Sequence, residues 1–117
     1  MSSADENTRM FEAPAALGGK RDRAYLVVLA GASVGEMYKI EGDKTVIGRG
    51  QKAQIRLLDD GISREHAQLV IIKDRVVLQD LGSTNGTYLD RARVTTPTPV
   101  PIGVPIRIGR TVIELRP

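Results

Sequence analysis

Residues 67–81 read AQLVIIKDRVVLQDL. Two apolar runs rich in Val, Ile and Leu, 67–73 and 75–81, meet at Asp74. Branched side chains of this kind fit a pleated, half-buried surface better than a helix. A lone polar residue between two such runs is a tight turn, so the stretch predicts a β-hairpin. The same pattern continues on both sides. Short runs at 25–30, 36–40, 45–48, 54–57, 87–89, 106–108 and 111–115 are separated by Gly, Asp or Asn. Gly42-Asp43 and Gly109-Arg110 punctuate two more of them. Short strands repeating at about 8–12 residues, with no amphipathic helix between them, predict an antiparallel all-β sandwich or barrel.

The pattern does not extend upstream of residue 24. Residues 1–23 are dominated by Ser, Ala, Asp, Glu, Asn and Gly, and no apolar periodicity persists. They read as a disordered N-terminal tail, with Gly18-Gly19 as the hinge into a domain over 24–117. Near the other end, 95–105 (TTPTPVPIGVP) carries four of the six prolines. A polyproline ligand is one reading. A strand-edge connection with fixed φ is the better one, because strands resume directly afterwards.

Composition removes several classes of function. With 117 residues the chain fits one domain. It has no Cys, which excludes disulfides, thiolate zinc sites, iron–sulfur sites and a cysteine nucleophile. A single His, His66, argues against a protein-only transition-metal site, and no cofactor is called for. No apolar run approaches the roughly 20 residues of a membrane span, and no signal peptide opens the chain, so a cytoplasmic location is expected. The net charge is +3, and the four cations and four acids of 1–23 cancel. That excess is too small and scattered for a dedicated DNA-binding face, yet it suits one small anionic ligand. Three Tyr and one Phe are too few for a base-stacking platform.

Three loops concentrate small polar and basic residues: Gly48-Arg49-Gly50, Ile62-Ser63-Arg64-Glu65-His66-Ala67, and Asp80-Leu81-Gly82-Ser83-Thr84-Asn85-Gly86-Thr87. Each adjoins a predicted strand. Arg supplies charge and directional donors. Hydroxyls and turn N–H groups complete an anion shell, and Gly lets backbone approach closely. The inventory is that of a phosphoryl-group binder.

In this order and spacing the three loops resemble the forkhead-associated (FHA) domain, bacterial type. Gly48-Arg49, Ser63-x-x-His66 and the Thr84-Asn85-Gly86 turn carry the likeness, which covers roughly 24–116. The resemblance implies an eleven-stranded β-sandwich that binds phosphothreonine peptides through loops at one end. It implies that Arg49 contacts the phosphate or supports the adjacent loop, and that Ser63, Arg64 and Thr84 contact the phosphate. Asn85 would hold the peptide main chain, with a nearby methyl pocket that prefers phosphothreonine over phosphoserine by about 1–3 kcal/mol. Gly48, His66 and Gly86 would be framework, His66 fixing the Ser63 loop. Two positions depart from the family pattern. Asp90-Arg91 stands where Asn-Gly is frequent, and Val104 replaces an acidic residue.

The resemblance also implies partners: a phosphothreonine-containing protein or the chain's own tail, and a Ser/Thr protein kinase, with a monomer or a tail-mediated dimer. Thr8, with Phe11 three residues later, is the candidate phosphorylation site. The chain would be a signalling module, complete or leading a longer protein, without nucleic acid or membrane partners. The alternative is a nucleic-acid-binding β-domain using its basic loops. A Ser63/His66 hydrolase lacks an orienting acid and a Gly-x-Ser-x-Gly elbow. Residues 31–35 lack the Lys of a phosphate-binding P-loop.

Overall fold

The computed structural model describes residues 24–117. The expectations for the tail, including Thr8 and Phe11, lie outside the described residues. Eleven strands are present among the described residues: β1 Tyr25–Ala30, β2 Met37–Lys39, β3 Lys44–Gly48, β4 Ile55–Arg56, β5 Ala67–Ile72, β6 Arg75–Asp80, β7 Thr87–Leu89, β8 Ala92–Arg93, β9 Thr98–Pro99, β10 Pro105–Ile108 and β11 Thr111–Arg116. They form a six-stranded sheet in the order β2-β1-β11-β10-β7-β8 and a five-stranded sheet in the order β4-β3-β5-β6-β9.

The β5–β6 hairpin sets the pattern. Lys73 and Asp74 have φ of 49° and 65°. Two consecutive left-handed residues match the twist of the flanking strands, which is why this turn type closes hairpins. The register pairs Leu69 with Leu78 and Gln68 with Gln79. Both Leu side chains are buried, while the glutamine amides meet at 2.8 Å on the other face. Alternation of this kind assigns one face of each strand to the core. Leu26 and Val28 of β1, Ile106 and Ile108 of β10, and Ile113 and Leu115 of β11 supply the opposing layer. Together these two inner faces make the buried core of a sandwich.

Three features differ from the sequence reading or extend it. β4 runs parallel to β3, pairing Ile47 with Ile55 and Gly48 with Arg56. The expected sheet was antiparallel throughout. The connection doubles back on itself, turning through an Ala53 N–H to Gly50 C=O bond of 3.2 Å. The Leu57 N–H then closes on Gly48 C=O at 2.9 Å. The proline-rich segment contains β9, on the edge of its sheet beside β6. Pro99 lies in that edge strand, the position where a missing N–H costs least. Asp90 turns with φ of 55° between β7 and β8, so a two-residue hairpin persists despite the departure from Asn-Gly.

Among the described residues no helix is long and apolar enough to cross a membrane. No group of three or more His, Asp or Glu among them is placed to hold a metal ion.

Candidate functional site

The β3–β4, β4–β5 and β6–β7 loops converge at one end of the sandwich and are bonded to one another. Gly48 ends β3 against the β4–β5 loop. A Cβ there would lie 2.0 Å from the Arg64 carbonyl oxygen and 2.7 Å from its carbon, so only Gly permits the approach. The Arg49 N–H donates to Ser63 C=O at 3.0 Å, and the Gly50 N–H to Arg64 C=O at 3.0 Å. The Arg49 Nε–H donates to Ile62 C=O at 2.9 Å. Its two terminal nitrogens have no hydrogen-bond partner among the described residues. Arg49 therefore braces the neighbouring loop and still keeps donors for a ligand.

Ser63 sits at the crossing of two loops. Its Oγ accepts the Thr84 N–H at 3.1 Å, which leaves its hydroxyl proton as a donor. The Asn85 Nδ2 donates to Gly61 C=O at 2.9 Å, closing the β6–β7 loop onto the β4–β5 loop. Arg49, Arg64, Thr84 and Asn85 are exposed and Ser63 is half-buried. The structure thus brings together all five residues expected to touch a ligand.

The three residues expected to be framework are buried. His66 is fully buried. Its Nδ1 accepts the Ser63 N–H at 3.0 Å, and its Nε2–H donates to Gly86 C=O at 2.9 Å. Since a backbone N–H can only donate, the geometry assigns the proton to Nε2. Both ring nitrogens are committed to main chain, so His66 does not address the Ser63 hydroxyl. The geometry required of a Ser–His nucleophile pair is therefore absent here. Gly86 has φ of +87°, and a Cβ on it would crowd the Arg93 guanidinium at 3.0 Å. Among the described residues neither Arg49 nor Arg64 forms an ion pair.

A model of the FHA domain matches residues 45–109, more than half of the chain. The chain belongs to the FHA family. It is 48% identical over 104 residues to the FHA domain-containing protein FhaB of Mycobacterium tuberculosis (strain CDC 1551 / Oshkosh). The match takes in 86% of this chain and 67% of that protein, so the chain spans about two thirds of its relative's length. One solved FHA domain, from a structural and functional study of phosphothreonine-dependent FHA interactions, superposes with a TM-score of 0.73 at 36% identity, covering 80% of this chain and 95% of that one. The FHA domain of FhaA, complexed with the intracellular domain of Rv3910, gives a TM-score of 0.72 at 36% identity, covering 80% and 99%.

Two carboxylates hold this FHA domain's loop end together: Asp80, which heads the third loop but has no role assigned from sequence, and Asp59, which the sequence does not single out. Asp80 accepts from the Gly82 and Ser83 N–H groups at 3.0 Å each, from the Ser83 hydroxyl at 2.6 Å and from the Thr87 hydroxyl at 2.7 Å. Ser83 Oγ in turn accepts the Gly86 N–H at 2.9 Å. Asp80 is the hub that shapes the Ser83–Gly86 turn. The signal was available, because Asp followed closely by Gly and Ser is a side-chain-capped turn. Asp59 accepts from the Gly61 N–H at 2.8 Å, the Arg110 N–H at 2.8 Å and the Thr111 hydroxyl at 2.9 Å. It staples the β4–β5 loop to the β10–β11 turn, a contact no local pattern announces.

Both carboxyls lie below the usual carboxylate range. Burial alone would raise them. For Asp59 that effect is outweighed by bonds from Gly61, Arg110 and Thr111 and by the Arg110 charge. For Asp80 it is outweighed by bonds from Ser83, Thr87 and Gly82. A lowered folded-state pKa means that the stabilisation is complete above the unfolded value and fades as pH falls through the folded one. The melting temperature is therefore expected to hold down to about pH 5 and to drop below about pH 4. Asp59→Asn and Asp80→Asn should each be less stable at neutral pH and show a shallower acid decline. Circular dichroism melts across pH 2–7 measure this. Parallel acid profiles for wild type and both variants would remove these two carboxylates as the cause.

Proposed function

We propose that this FHA domain is a phosphothreonine-peptide-binding signalling module whose ligand is held by Arg49, Ser63, Arg64, Thr84 and Asn85. The observation that carries the reading is the cluster of uncommitted donors on three mutually bonded loops. The Ser63 hydroxyl proton and the terminal nitrogens of Arg49 are preorganised by bonds made through other atoms of the same residues. A phosphothreonine carries about −1.5 to −2 charge and three acceptor oxygens, and such donors match it. Charge-assisted hydrogen bonds contribute about 1.5–3 kcal/mol each before ordering costs. A few of them with main-chain contacts from Asn85 reach the roughly −8 kcal/mol of a micromolar complex.

The solved relatives at 36% identity support peptide rather than nucleic-acid recognition, since one is described through phosphothreonine-dependent interactions and another is bound to a protein domain. The partner is a phosphothreonine-containing protein, and a Ser/Thr protein kinase creates the ligand. Thr8 is a further candidate ligand, with Phe11 three residues on as a specificity residue. The site works by binding, with no chemical step, no metal and no cofactor.

Calorimetric titration of matched peptides carrying phosphothreonine, phosphoserine or plain threonine tests the reading. Binding is expected for phosphothreonine, about tenfold or more weaker for phosphoserine, and absent for threonine. Equal binding of all three would overturn it. A peptide spanning residues 3–14 with phosphorylated Thr8 is expected to bind where the plain form does not. A failure of that one peptide would move the ligand to another protein.

A further inference from the structure

The domain carries more positive charge beside the phosphothreonine site than one phosphate uses. A pocket of about 690 Å³ opens between the β3–β4 and β4–β5 loops, with Arg49, Lys52, Arg56, Arg64 and Glu65 in its lining. Four cations therefore face one carboxylate. None of the four is ion-paired among the described residues. Arg56 spends its Nε–H on the Arg49 carbonyl at 3.1 Å, and Lys52 has no hydrogen bond among them. Ser63, Thr84 and Asn85 do not line this pocket, whereas Arg49 and Arg64 form a wall shared with the phosphothreonine site.

The opposite flank has a different character. A second pocket of about 640 Å³ includes Asn85 in its lining and balances Arg107 and Arg110 against Asp59 and Asp60. The two sides of the Ser63–Thr84 crossing thus differ in charge, cationic towards Lys52 and balanced towards Asp59. Cations gathered around one opening repel each other and gain most when an anion enters among them. An extended peptide advances about 3.3 Å per residue, so a side chain one to three residues from the phosphothreonine falls within reach of the shared wall.

We propose that the Arg49–Lys52–Arg56–Arg64 pocket takes a second anionic group of the same peptide, within about three residues of the phosphothreonine. That group is an acidic side chain or a second phosphoryl group. The proposal rests on the phosphothreonine reading and assigns the selectivity of that site for its flanking sequence.

The test is calorimetry with peptides sharing one phosphothreonine. One peptide has neutral flanks, one has three Glu before the phosphothreonine, one has three Glu after it, and two carry a second phosphothreonine two residues before or after. Anionic residues on one side, and not the other, are expected to tighten binding at least tenfold over the neutral peptide. In a Lys52→Gln/Arg56→Gln variant that ratio should fall below threefold, with the neutral peptide as each protein's own reference. A gain from the second phosphoryl group alone assigns the pocket to doubly phosphorylated ligands, and a gain from Glu as well assigns it to acidic flanks in general. All five peptides binding within twofold of one another would overturn the proposal. So would a preference that survives intact in the variant. No binding by any of them would instead bring down the phosphothreonine reading, and the pocket's role with it.

Discussion

Arg49→Ala is expected to weaken phosphothreonine-peptide binding at least tenfold while the domain stays folded. The side chain is exposed, and its one link to the core is a bond to the main-chain carbonyl of buried Ile62. Its loss removes the terminal guanidinium donors and the single Nε–H to Ile62 C=O bond. Tenfold corresponds to about 1.4 kcal/mol, less than one charge-assisted hydrogen bond, so the figure is a lower bound. Arg49→Lys separates charge from geometry. Lysine keeps the positive charge and lacks the planar fork, so partial recovery is expected rather than full recovery. Ser63→Ala should fall in the same range, because it deletes the hydroxyl donor and the acceptor of the Thr84 N–H together. Calorimetry gives the affinities and a thermal melt gives the folding control. Unchanged affinity in Arg49→Ala would remove Arg49 from the site.

Gly48→Ala should produce the largest loss of stability of any single methyl group added at this end of the molecule. The new Cβ would stand 2.0 Å from the Arg64 carbonyl oxygen, with the Glu65 Cα at 3.1 Å. Backbone atoms cannot swing away as a side-chain tip can. The β3 terminus or the whole β4–β5 loop must move, breaking the Arg49-to-Ser63 and Gly50-to-Arg64 main-chain bonds. Overpacking typically costs 1–3 kcal/mol, and a forced backbone clash lies at or above the top of that range. For a domain of this size about 3 kcal/mol lowers Tm by roughly 12–24 °C. Gly42→Ala is the control. Its φ of +76° carries a left-handed strain that Gly48 does not have, but a Cβ there meets nothing within 4 Å, so its loss should still be smaller. Equal melting temperatures for the two variants would contradict the close-approach explanation.

Much of the fold was legible because its signals are local. The β5–β6 hairpin announces itself through two apolar runs and the turn between them. The first motif, Gly48-Arg49, reads from sequence as a loop adjoining a strand, and β3 does end at Gly48; its close packing on the Arg64 carbonyl is visible only in the structure. What escaped depends on distant partners or on very short segments. β8 and β9 are two residues each, too short to show alternation. The parallel sense of β4 follows from Leu57 returning to Gly48, which no local pattern encodes. The loop residues expected to face a ligand could be picked out because their spacing follows the family signature. Their supports could not be found in full. Asp59 finds its partners 51 and 52 residues away, and the cationic pocket arises only when Lys52 and Arg56 fold back beside Arg64.

If the three bonded loops form one phosphothreonine-peptide site, a bound peptide must perturb all three together. Amide chemical-shift mapping on the labelled domain tests it most directly, using a phosphothreonine peptide and its unphosphorylated counterpart. The phosphorylated peptide is expected to shift the amides of Gly50, Ser63, Arg64, Thr84 and Asn85 most strongly. The counterpart should leave them in place. The largest shifts falling on the outer face of the β2-β1-β11 sheet, or the same shifts with both peptides, would contradict it.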